Sequence, residues 1–336
     1  MPLTMKQWQI LPAGLDRFRQ TQVAVPTPGP GEALVRVRAV ALNYRDVAMV
    51  DGTIPPPASG PIVPGSDAAG EVVALGSGVT CLRIGEAVID VDNIGWFDGP
   101  PPAHANSAPV LGRLAEFVVV PAAQLVRAPT TVSAISASTL PVAGLTAWFA
   151  LVEEGRLRAG QTVVVQGTGG VSMFAVQLAA AHGARVIVTS TSDTKLERAI
   201  ALGASAGVNR VANPEWEQVV LELTEGLGAD HVLEMAGGDN LRRSLAAVKL
   251  GGRISLIGLL DDAELRAPML EILFKRVTLA AIAVGHRRAL QDLVQAVDQL
   301  RLEPVVDRVY AFDDAPLAFD HQRRGPFGKV VIDLSD

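Results

Sequence analysis

Cysteine is nearly absent from this chain of 336 residues, in which Cys81 is the single example. One thiol cannot build a disulfide framework, a four-cysteine structural zinc site or a cysteine-rich catalytic zinc site. The five histidines, at positions 104, 182, 231, 286 and 321, lack the spacing of metal ligands. His182 ends a predicted helix and His231 opens a predicted core strand, so structural roles are expected for both. The sequence therefore predicts no bound metal ion.

Basic clusters, aromatic residues and a secretory signal are also scarce or missing. The formal net charge is -6, and aromatic residues make up 4% of the chain. Nucleic-acid binding depends on clustered Lys and Arg, so no nucleic-acid partner is expected. The amino terminus lacks a charged segment followed by an apolar core, which predicts a cytoplasmic protein. Two uncharged segments, 128–152 and 159–184, are interrupted by Gly, Pro and Gln and are predicted to be buried core, not membrane spans.

A glycine turn between a β-branched run and a helical pattern is the most informative motif that is present. Residues 161–172 have the sequence QTVVVQGTGGVS, and apolar residues then recur with helical spacing up to Leu178. This order predicts a strand, a tight turn and a helix, the start of a dinucleotide-binding unit, with a nucleotide-free α/β turn as the alternative. Amides at a helix start attract anions. The residues predicted to bind the cofactor here are Gly167, Thr168, Gly169, Gly170 and Val171.

The third glycine position of the motif holds Ser172. Serine is small enough for close packing of the helix against the strand, and it can also cap the helix. About 20 residues beyond the glycines, NAD-binding chains place an acid that binds the ribose 2′-hydroxyl. Ser190 occupies that place here, with Lys195 and Arg210 positioned to approach a 2′-phosphate. The pattern favours NADP(H), although both basic residues are equally compatible with solvated surface charges.

The organisation of the chain changes near residue 122. Short β-rich runs separated by Pro and Gly clusters precede it, which predicts an irregular β domain. After it, short apolar runs alternate with helical segments, and this alternation predicts a six-stranded doubly wound sheet. The predicted strands contain Val163, Val186, Val208, Val232, Ile254 and Leu279. From residue 285 a helix and mixed strands return to the first domain.

Several short motifs occur in a fixed order along nearly the whole chain. They are NYRD at 43–46, PGSDAAG at 64–70, LPVAGLTA at 140–147, the glycine turn, GGRISLIG at 251–258 and FGKVV at 327–331. Together they resemble the medium-chain dehydrogenase/reductase family, in its zinc-free, quinone-oxidoreductase-like group. The resemblance implies an α/β fold in which a Rossmann doubly wound parallel sheet (123–284) joins a GroES-like β-rich catalytic domain (1–122 and 285–336).

The resemblance also locates the positions at which zinc-dependent relatives bind their metal. A cysteine ligand matches Asn43, a histidine ligand matches Ser66, and the third ligand falls near Val142 or Ala143. Without a Lewis acid, direct carbonyl or alcohol chemistry loses several kcal/mol of stabilisation. A conjugated acceptor spreads its developing negative charge, and a hydrogen-bond donor suffices to hold it. The expected reaction is therefore hydride transfer from NADPH to a conjugated C=C or a quinone, a small molecule held in the cleft between the domains.

Tyr44 and Asn43 are the predicted catalytic residues. Tyr44 follows Asn43 in the family's cleft segment, where its hydroxyl donates a proton or orients the substrate; the alternative is packing in the β domain. Asn43 is expected to hydrogen-bond a carbonyl or the cofactor, whereas Asp46 and Asp67 are expected to be structural. By resemblance, Thr146 lies beside the nicotinamide, with capping of a helix as its competing role, and Lys329 binds the cofactor.

Two further loops are candidates for contact with the substrate or the cofactor. Residues 92–107 fall where zinc-dependent relatives carry a structural metal lobe, and Trp96 and Phe97 either cover the substrate or anchor this loop. Anchoring is favoured. Residues 285–288 (GHRR) are a further candidate edge of the cofactor site.

Other functions and an assembly are also considered. A zinc-free alcohol or aldehyde dehydrogenase and an NADPH-binding protein with little activity are the alternatives. The exposed edge of the predicted sheet is a pairing hazard that relatives resolve by joining two sheets, which implies a homodimer formed across residues 279–284.

Overall fold

The computed structural model describes residues 3–10, 18–54, 61–91, 93, 95–103 and 112–335. Parts of the predicted loop 92–107, including His104, lie outside this range. The described strands are β1 Thr4–Ile10, β2 Phe18–Ala24, β3 Glu32–Ala41, β4 Asp67–Leu75, β5 Ala87–Asp90, β6 Phe117–Pro121, β7 Leu125–Arg127, β8 Thr162–Gln166, β9 Arg185–Ser190, β10 Ala206–Asn209, β11 Ala229–Glu234, β12 Gly237–Gly238, β13 Val248–Leu256, β14 Asp262–Leu265, β15 Thr278–Ala281, β16 Val306–Ala311 and β17 Lys329–Asp333.

The α-helices are α1 Tyr44–Val50, α2 Ala134–Ala137, α3 Leu145–Trp148, α4 Gly170–Ala181, α5 Asp193–Ala201, α6 Trp216–Leu223, α7 Asn240–Ala247, α8 Met269–Lys275, α9 Arg287–Leu300 and α10 Ala315–Arg323. Two π-helical turns, Leu140–Gly144 and Phe149–Glu153, flank α3. Short 3₁₀ turns cover Ala122–Gln124 and Phe312–Asp314. None of the helices in the described part of the chain combines the length and apolarity that a membrane crossing requires.

The chain divides into two compact units, Met1–Leu145 with Val284–Asp336 and Thr146–Ala283. The first unit thus extends beyond the predicted boundary at residue 122. The reason is strand pairing, since β7 pairs antiparallel with β5 and α2 contacts β3 and β4. The second boundary falls next to the predicted one.

The first unit is built on a seven-stranded sheet with the order β16-β17-β3-β4-β5-β7. The seventh strand, β6, pairs with the first half of β3, and β17 pairs with its second half. The long β3 therefore serves two partners along one edge. Buried side chains, including Trp8, Leu42, Leu114 and Phe319, form the core beneath this sheet.

The second unit contains six parallel strands in the order β10-β9-β8-β11-β13-β15. All six strands predicted from the apolar runs are present, which confirms the doubly wound sheet. Val163, Val164 and Val165 of the central β8 are fully buried, as expected for a strand covered on both faces. The order reverses between β8 and β11. In such sheets ligands bind at the carboxyl ends of the strands where the order reverses.

Candidate functional site

The glycine turn in the second unit has the geometry that a phosphate-binding turn needs. Gly167 follows β8 with φ +75°, a backbone conformation that side-chain-bearing residues rarely adopt. Gly169 caps α4 with extended backbone, and a methyl group built on it would meet nothing within 4 Å. Ser172 is buried and donates a hydrogen bond to the carbonyl of Gln166 at 2.8 Å. The serine therefore ties the first turn of α4 to the end of β8.

Ser190, Lys195 and Arg210 surround the ends of the next two strands. Ser190 is buried at the end of β9, and its hydroxyl accepts from the amide of Ser192. The amide of Arg210 donates to the carbonyl of Ser190 at 2.9 Å, so the arginine leaves β10 directly beside it. The Lys195 side chain is partly exposed on α5, whose start is capped by Ser192. The structure thus brings Ser190 and Arg210 together.

An open cavity of about 390 Å³ lies next to Arg210 in the second unit. Its lining residues are Thr191, Arg210, Val211, Pro214, Trp216, Asp239, Asn240, Arg243 and Asp261. A smaller cavity continues from it to the glycine turn, and Gln166, Gly167 and Asn240 are among its lining residues. Arg210 and Asp261 line both cavities, and Arg243 and Asp239 line the larger one, so both cavities carry charges of both signs.

A buried polar network that sequence reasoning missed stands beside the turn. Glu234, at the end of β11, is fully buried and hydrogen-bonded to Gln166, Asn240 and Ser244. The only sequence signal was an acid that directly follows the short apolar run of Val232 and Leu233. That signal does not show what the acid contacts.

A second buried polar cluster lies in the first unit and contains Asn43. The Asn43 side-chain amide donates to Ser66 at 3.0 Å and to Asp67 at 2.9 Å. Its oxygen accepts a hydrogen bond from the Lys329 ammonium at 2.7 Å, and that ammonium lies 3.6 Å from Asp67. Asp46 accepts from the Asn43 backbone amide and from the Ser66 hydroxyl. These contacts join the start of α1 to β4 and β17.

Burial controls the protonation of this cluster. Desolvation raises the pKa of Asp67 to about 7, although Lys329, Asn43 and Arg45 oppose the shift. Desolvation also raises the pKa of Asp46 and lowers that of Lys329. One carboxylate oxygen of Asp46 and one of Asp67 have no hydrogen-bond partner among the described residues. Such atoms carry a desolvation cost that the cluster does not fully offset.

The residues at the family's zinc positions do not fit a zinc ion. Structural and catalytic zinc sites use Cys, His, Asp or Glu, and Asn43 and Ser66 replace two of those ligands. The oxygen of Asn43 is occupied by the Lys329 ammonium, and the Ser66 hydroxyl donates to Asp46. Across the described ranges, no group of three or more His, Cys, Asp or Glu residues is arranged to hold a metal.

Tyr44 and Thr146 have contrasting surroundings. Tyr44, the first residue of α1, is 45% exposed, so only part of its surface is packed against the first unit. Thr146 is buried inside α3 and is not at a helix start, which leaves no place for the predicted capping role.

The loop around Trp96 is attached to the start of α9. Trp96 is buried with its ring edge-on to His286, and the amides of Arg287 and Arg288 donate to the carbonyls of Trp96 and Phe97. Arg288 also pairs with Asp98 at 2.8 Å. Residues 285–288 therefore hold this loop. Phe97 remains half exposed.

Comparison with known proteins places the chain in a family. Residues 29–130 match the alcohol dehydrogenase GroES-like domain, and residues 170–299 match the zinc-binding dehydrogenase domain. A zinc-type alcohol dehydrogenase-like protein of Schizosaccharomyces pombe is 37% identical over 96% of each chain. The chain therefore belongs to the medium-chain dehydrogenase/reductase family and is an oxidoreductase with the predicted Rossmann and GroES-like architecture.

Two solved structures are similar over almost the whole length. An alcohol dehydrogenase candidate from Sinorhizobium meliloti 1021 is 47% identical, with a TM-score of 0.92 and coverage of 99% of this chain and 100% of that chain. An NAD-dependent alcohol dehydrogenase is 31% identical, with a TM-score of 0.88 and coverage of 98% and 100%.

Proposed function

We propose that this protein is a zinc-independent, NADP(H)-dependent oxidoreductase that transfers hydride to a conjugated C=C or a quinone. The observation that carries the proposal is the Lys329 ammonium on the oxygen of Asn43, at the position where zinc-dependent relatives hold metal. With that oxygen occupied and Ser66 bonded to Asp46, neither of these two described positions supplies a ligand for a Lewis-acid metal. A conjugated acceptor is the substrate class that needs such help least.

The second unit supplies the cofactor site. The open space at Gly169 and the positive φ of Gly167 suit close approach of a pyrophosphate to the amides that begin α4, namely those of Gly170 and Val171, with Thr168 between the two glycines. Ser190 and Arg210, with Lys195 on the next helix, favour a 2′-phosphate. Thr146 and Lys329 are proposed to contact the remainder of the cofactor.

When bound, the reduced nicotinamide supplies the hydride. The protein must then hold the negative charge that develops on the substrate oxygen and deliver one proton. Tyr44 is the proposed donor, because it begins α1 next to Asn43 and the residue is 45% exposed. Asn43 was expected to bond a carbonyl or the cofactor, but its side chain is engaged by Ser66, Asp67 and Lys329. Its proposed role is therefore to fix the start of α1 beside Tyr44.

The names of the relatives support a second candidate. Several are alcohol dehydrogenases, and one structural relative is described as NAD-dependent. A zinc-free alcohol or aldehyde dehydrogenase, with Tyr44 as the proton relay, is therefore the competing proposal. An NADPH-binding protein with little activity is the third.

Substrate panels separate these candidates. NADPH absorbance is followed with enones, quinones and simple ketones, in metal-free buffer and again with added Zn²⁺. We expect oxidation of NADPH with enones or quinones, no dependence on zinc, and at least tenfold slower turnover in Tyr44→Phe. Oxidation with ketones alone would contradict the conjugated acceptor. Binding without oxidation would support the third candidate, and unchanged turnover in Tyr44→Phe would remove the tyrosine from the mechanism.

The cofactor preference has its own test. Arg210→Ala should weaken NADPH binding by about tenfold and leave NADH binding nearly unchanged, because only NADPH carries the 2′-phosphate. Fluorescence titration of both cofactors measures this difference. Arg198→Ala, on the exposed surface of α5, is the matched control. Equal binding of NADH and NADPH by the natural protein would overturn the preference.

We further propose a homodimer formed through the β15 edge of the second unit. Among the described strands β15 pairs with β13 alone, and the neighbouring α8 exposes Met269, Leu270, Leu273 and Phe274. An unpaired edge beside apolar side chains suits a second copy of the chain. Light scattering should give the mass of a dimer, and Phe274→Glu should shift it toward the monomer while Leu227→Glu, in the exposed turn that follows α6, should not.

A further inference from the structure

Glu234 is a buried acid whose partners are uncharged. One of its oxygens accepts hydrogen bonds from the backbone amides of Ala236 at 2.9 Å and Gly237 at 3.1 Å. Asn240 donates to the same oxygen at 2.8 Å and to the other at 3.0 Å. A buried carboxylate is tolerated when several donors converge on it. Glu234 therefore ties Ala236 and Gly237, which follow shortly after β11, to Asn240, the first residue of α7.

The same carboxylate also reaches across to β8. Its second oxygen accepts from the side-chain amide of Gln166 at 3.2 Å and from the hydroxyl of Ser244. That Gln166 nitrogen also donates to Ser244 at 2.8 Å. The Gln166 oxygen accepts from the backbone amide of Met235 and from Asn240 at 3.1 and 3.0 Å. Gln166 is thus engaged at both ends of its side chain.

Gln166 is the residue that immediately precedes the glycine turn. Its backbone carbonyl is held by Ser172 of α4, and the amide of Gly167 donates to Thr189 of β9. The side-chain contacts with Glu234 are the third restraint on this short segment. Gln166, Gly167, Met235, Ala236 and Asn240 also line the smaller cavity beside the turn. The network therefore forms one wall of the space next to the proposed cofactor turn.

The network spans the two strands between which the sheet order reverses. Gln166 ends β8 and Glu234 ends β11, and these strands are hydrogen-bonded neighbours. In doubly wound sheets this is the crevice where a nucleotide lies, so its width depends on what joins the two strand ends. A rigid connection there orients backbone groups before the ligand arrives, which lowers the ordering cost of binding.

We propose that Glu234 is a positioning residue for the dinucleotide, acting through Gln166 to set the conformation of the glycine turn. The proposal rests on the proposed cofactor-binding function. It adds that the affinity of the glycine turn for the dinucleotide depends on the Glu234 carboxylate. This carboxylate acts on the turn through its hydrogen bond to Gln166.

Replacement of Glu234 by glutamine tests whether cofactor binding depends on the two acceptor oxygens of the carboxylate. One amide oxygen can still accept from Ala236 and Gly237, but the new amide nitrogen then faces the donor nitrogen of Gln166. Two donors facing each other leave a buried group unsatisfied, so Gln166 must move. We expect Glu234→Gln to raise the dissociation constant for NADPH about tenfold or more. NADH affinity should fall by a similar factor, because the turn contacts the part that both cofactors share.

Exchange of the two side chains supplies the rescue. In the double variant Gln166→Glu, Glu234→Gln, the carboxylate at 166 can accept from Met235, Asn240 and Ser244, and the amide at 234 can donate to it. Most of the lost affinity should return. A double-mutant cycle of dissociation constants, measured by fluorescence titration, then gives a coupling between the two sites.

Asp230→Asn is the matched control, since Asp230 lies near the opposite end of the same strand and bonds to Lys249, Thr162 and Gln161. It should affect stability and leave the dissociation constant unchanged. Ser244→Ala, which removes one donor and keeps the carboxylate, should weaken binding several-fold and serves if Glu234→Gln does not fold.

The outcomes separate the two proposals. If the natural protein binds neither NADPH nor NADH, the proposed function fails. If it binds and the folded Glu234→Gln or Ser244→Ala protein binds equally well, the positioning role is overturned while the proposed function stands. A double variant that binds as weakly as Glu234→Gln would also overturn it, because the role requires the paired acid and amide.

Discussion

The two buried polar networks of this protein differ in how completely their charges are satisfied. In the second unit, both oxygens of Glu234 accept several hydrogen bonds from uncharged donors. In the first unit, Asp67 and Asp46 lie near the Lys329 ammonium, yet each carboxylate keeps one oxygen that has no hydrogen-bond partner in the described part of the chain. The first arrangement suits a fixed position, and the second suits a group that changes protonation.

The cause of the difference is the kind of element that supplies the donors. Glu234 ends β11, and the backbone amides of Ala236 and Gly237, in the segment that follows the strand, donate to it. Asp67 begins β4 inside a sheet, where backbone amides are used in strand pairing. Its neutralisation must come from side chains. A buried acid without free amides therefore depends on a cation.

Removal of that cation should have the largest effect. Lys329→Met leaves the buried carboxyl groups of Asp67 and Asp46 without their ammonium neighbour, and loss of one partner of a buried pair costs about 3–5 kcal/mol. Urea unfolding at neutral pH measures the loss. Lys329→Arg keeps the positive charge and should lose less. If Lys329→Met were as stable as the natural protein, the buried acids of the first unit would not depend on a cation, and the two networks would not differ in that dependence.

The pH dependence of stability should distinguish the networks next. The pKa of Asp67 rises from 3.8 to about 7 on folding. Between those values the folded chain keeps a proton that the unfolded chain has released. The free energy of unfolding therefore falls as pH rises, by up to about 1.4 kcal/mol per pH unit from this group.

Asp67→Asn removes the titrating group and should remove that slope. Urea unfolding of both proteins between pH 4 and 8 gives the difference, which cancels the contributions of other acids. Parallel curves for the two proteins would contradict the raised pKa.

The glycine turn should show a smaller effect, one that separates stability from binding. Gly167→Ala forces a side chain into φ +75° and should cost about 1–2 kcal/mol of stability. Thermal or urea unfolding measures it. If this variant were as stable as the natural protein, the turn would have to change its conformation freely. That result would contradict the proposal that Gln166 fixes the turn.

Gly169→Ala should have the smallest effect on stability, within about 0.5 kcal/mol. The residue has negative φ, and a methyl group there meets nothing within 4 Å. Cofactor binding should nevertheless weaken, because the methyl group occupies the space through which a pyrophosphate approaches the helix start. Unfolding and fluorescence titration together check both halves. Unchanged cofactor affinity would place the pyrophosphate elsewhere.

Much of the fold could be predicted because it repeats a local pattern. The β-branched run before Gly167 and the five further apolar runs each predicted a strand, and all six lie in one parallel sheet. The boundary between the two units was harder to predict from the sequence. The strand Leu125–Arg127 is three residues long and pairs with Ala87–Asp90, a partner that no local pattern indicates.

In the candidate site, too, some features could be predicted from the sequence and others could not. Ser190 was singled out by its distance from the glycines and Arg210 as a basic residue placed to approach a 2′-phosphate. The structure places them together because Ser190 ends β9 and Arg210 follows the neighbouring β10. Lys329 was expected to contact the cofactor, and its bond to Asn43 had no sequence signal, since 286 positions separate the two residues. The role of Lys329 toward the cofactor stays a prediction.

Local sequence was sufficient for the sheet, the turn and the family, since strand, turn and helix preferences act over a few neighbouring residues and leave a readable order. Which buried acid is held by amides and which by an ammonium was settled by folding. Those partners come from separate strands and helices, and the burial that shifts their protonation exists only once the units are packed.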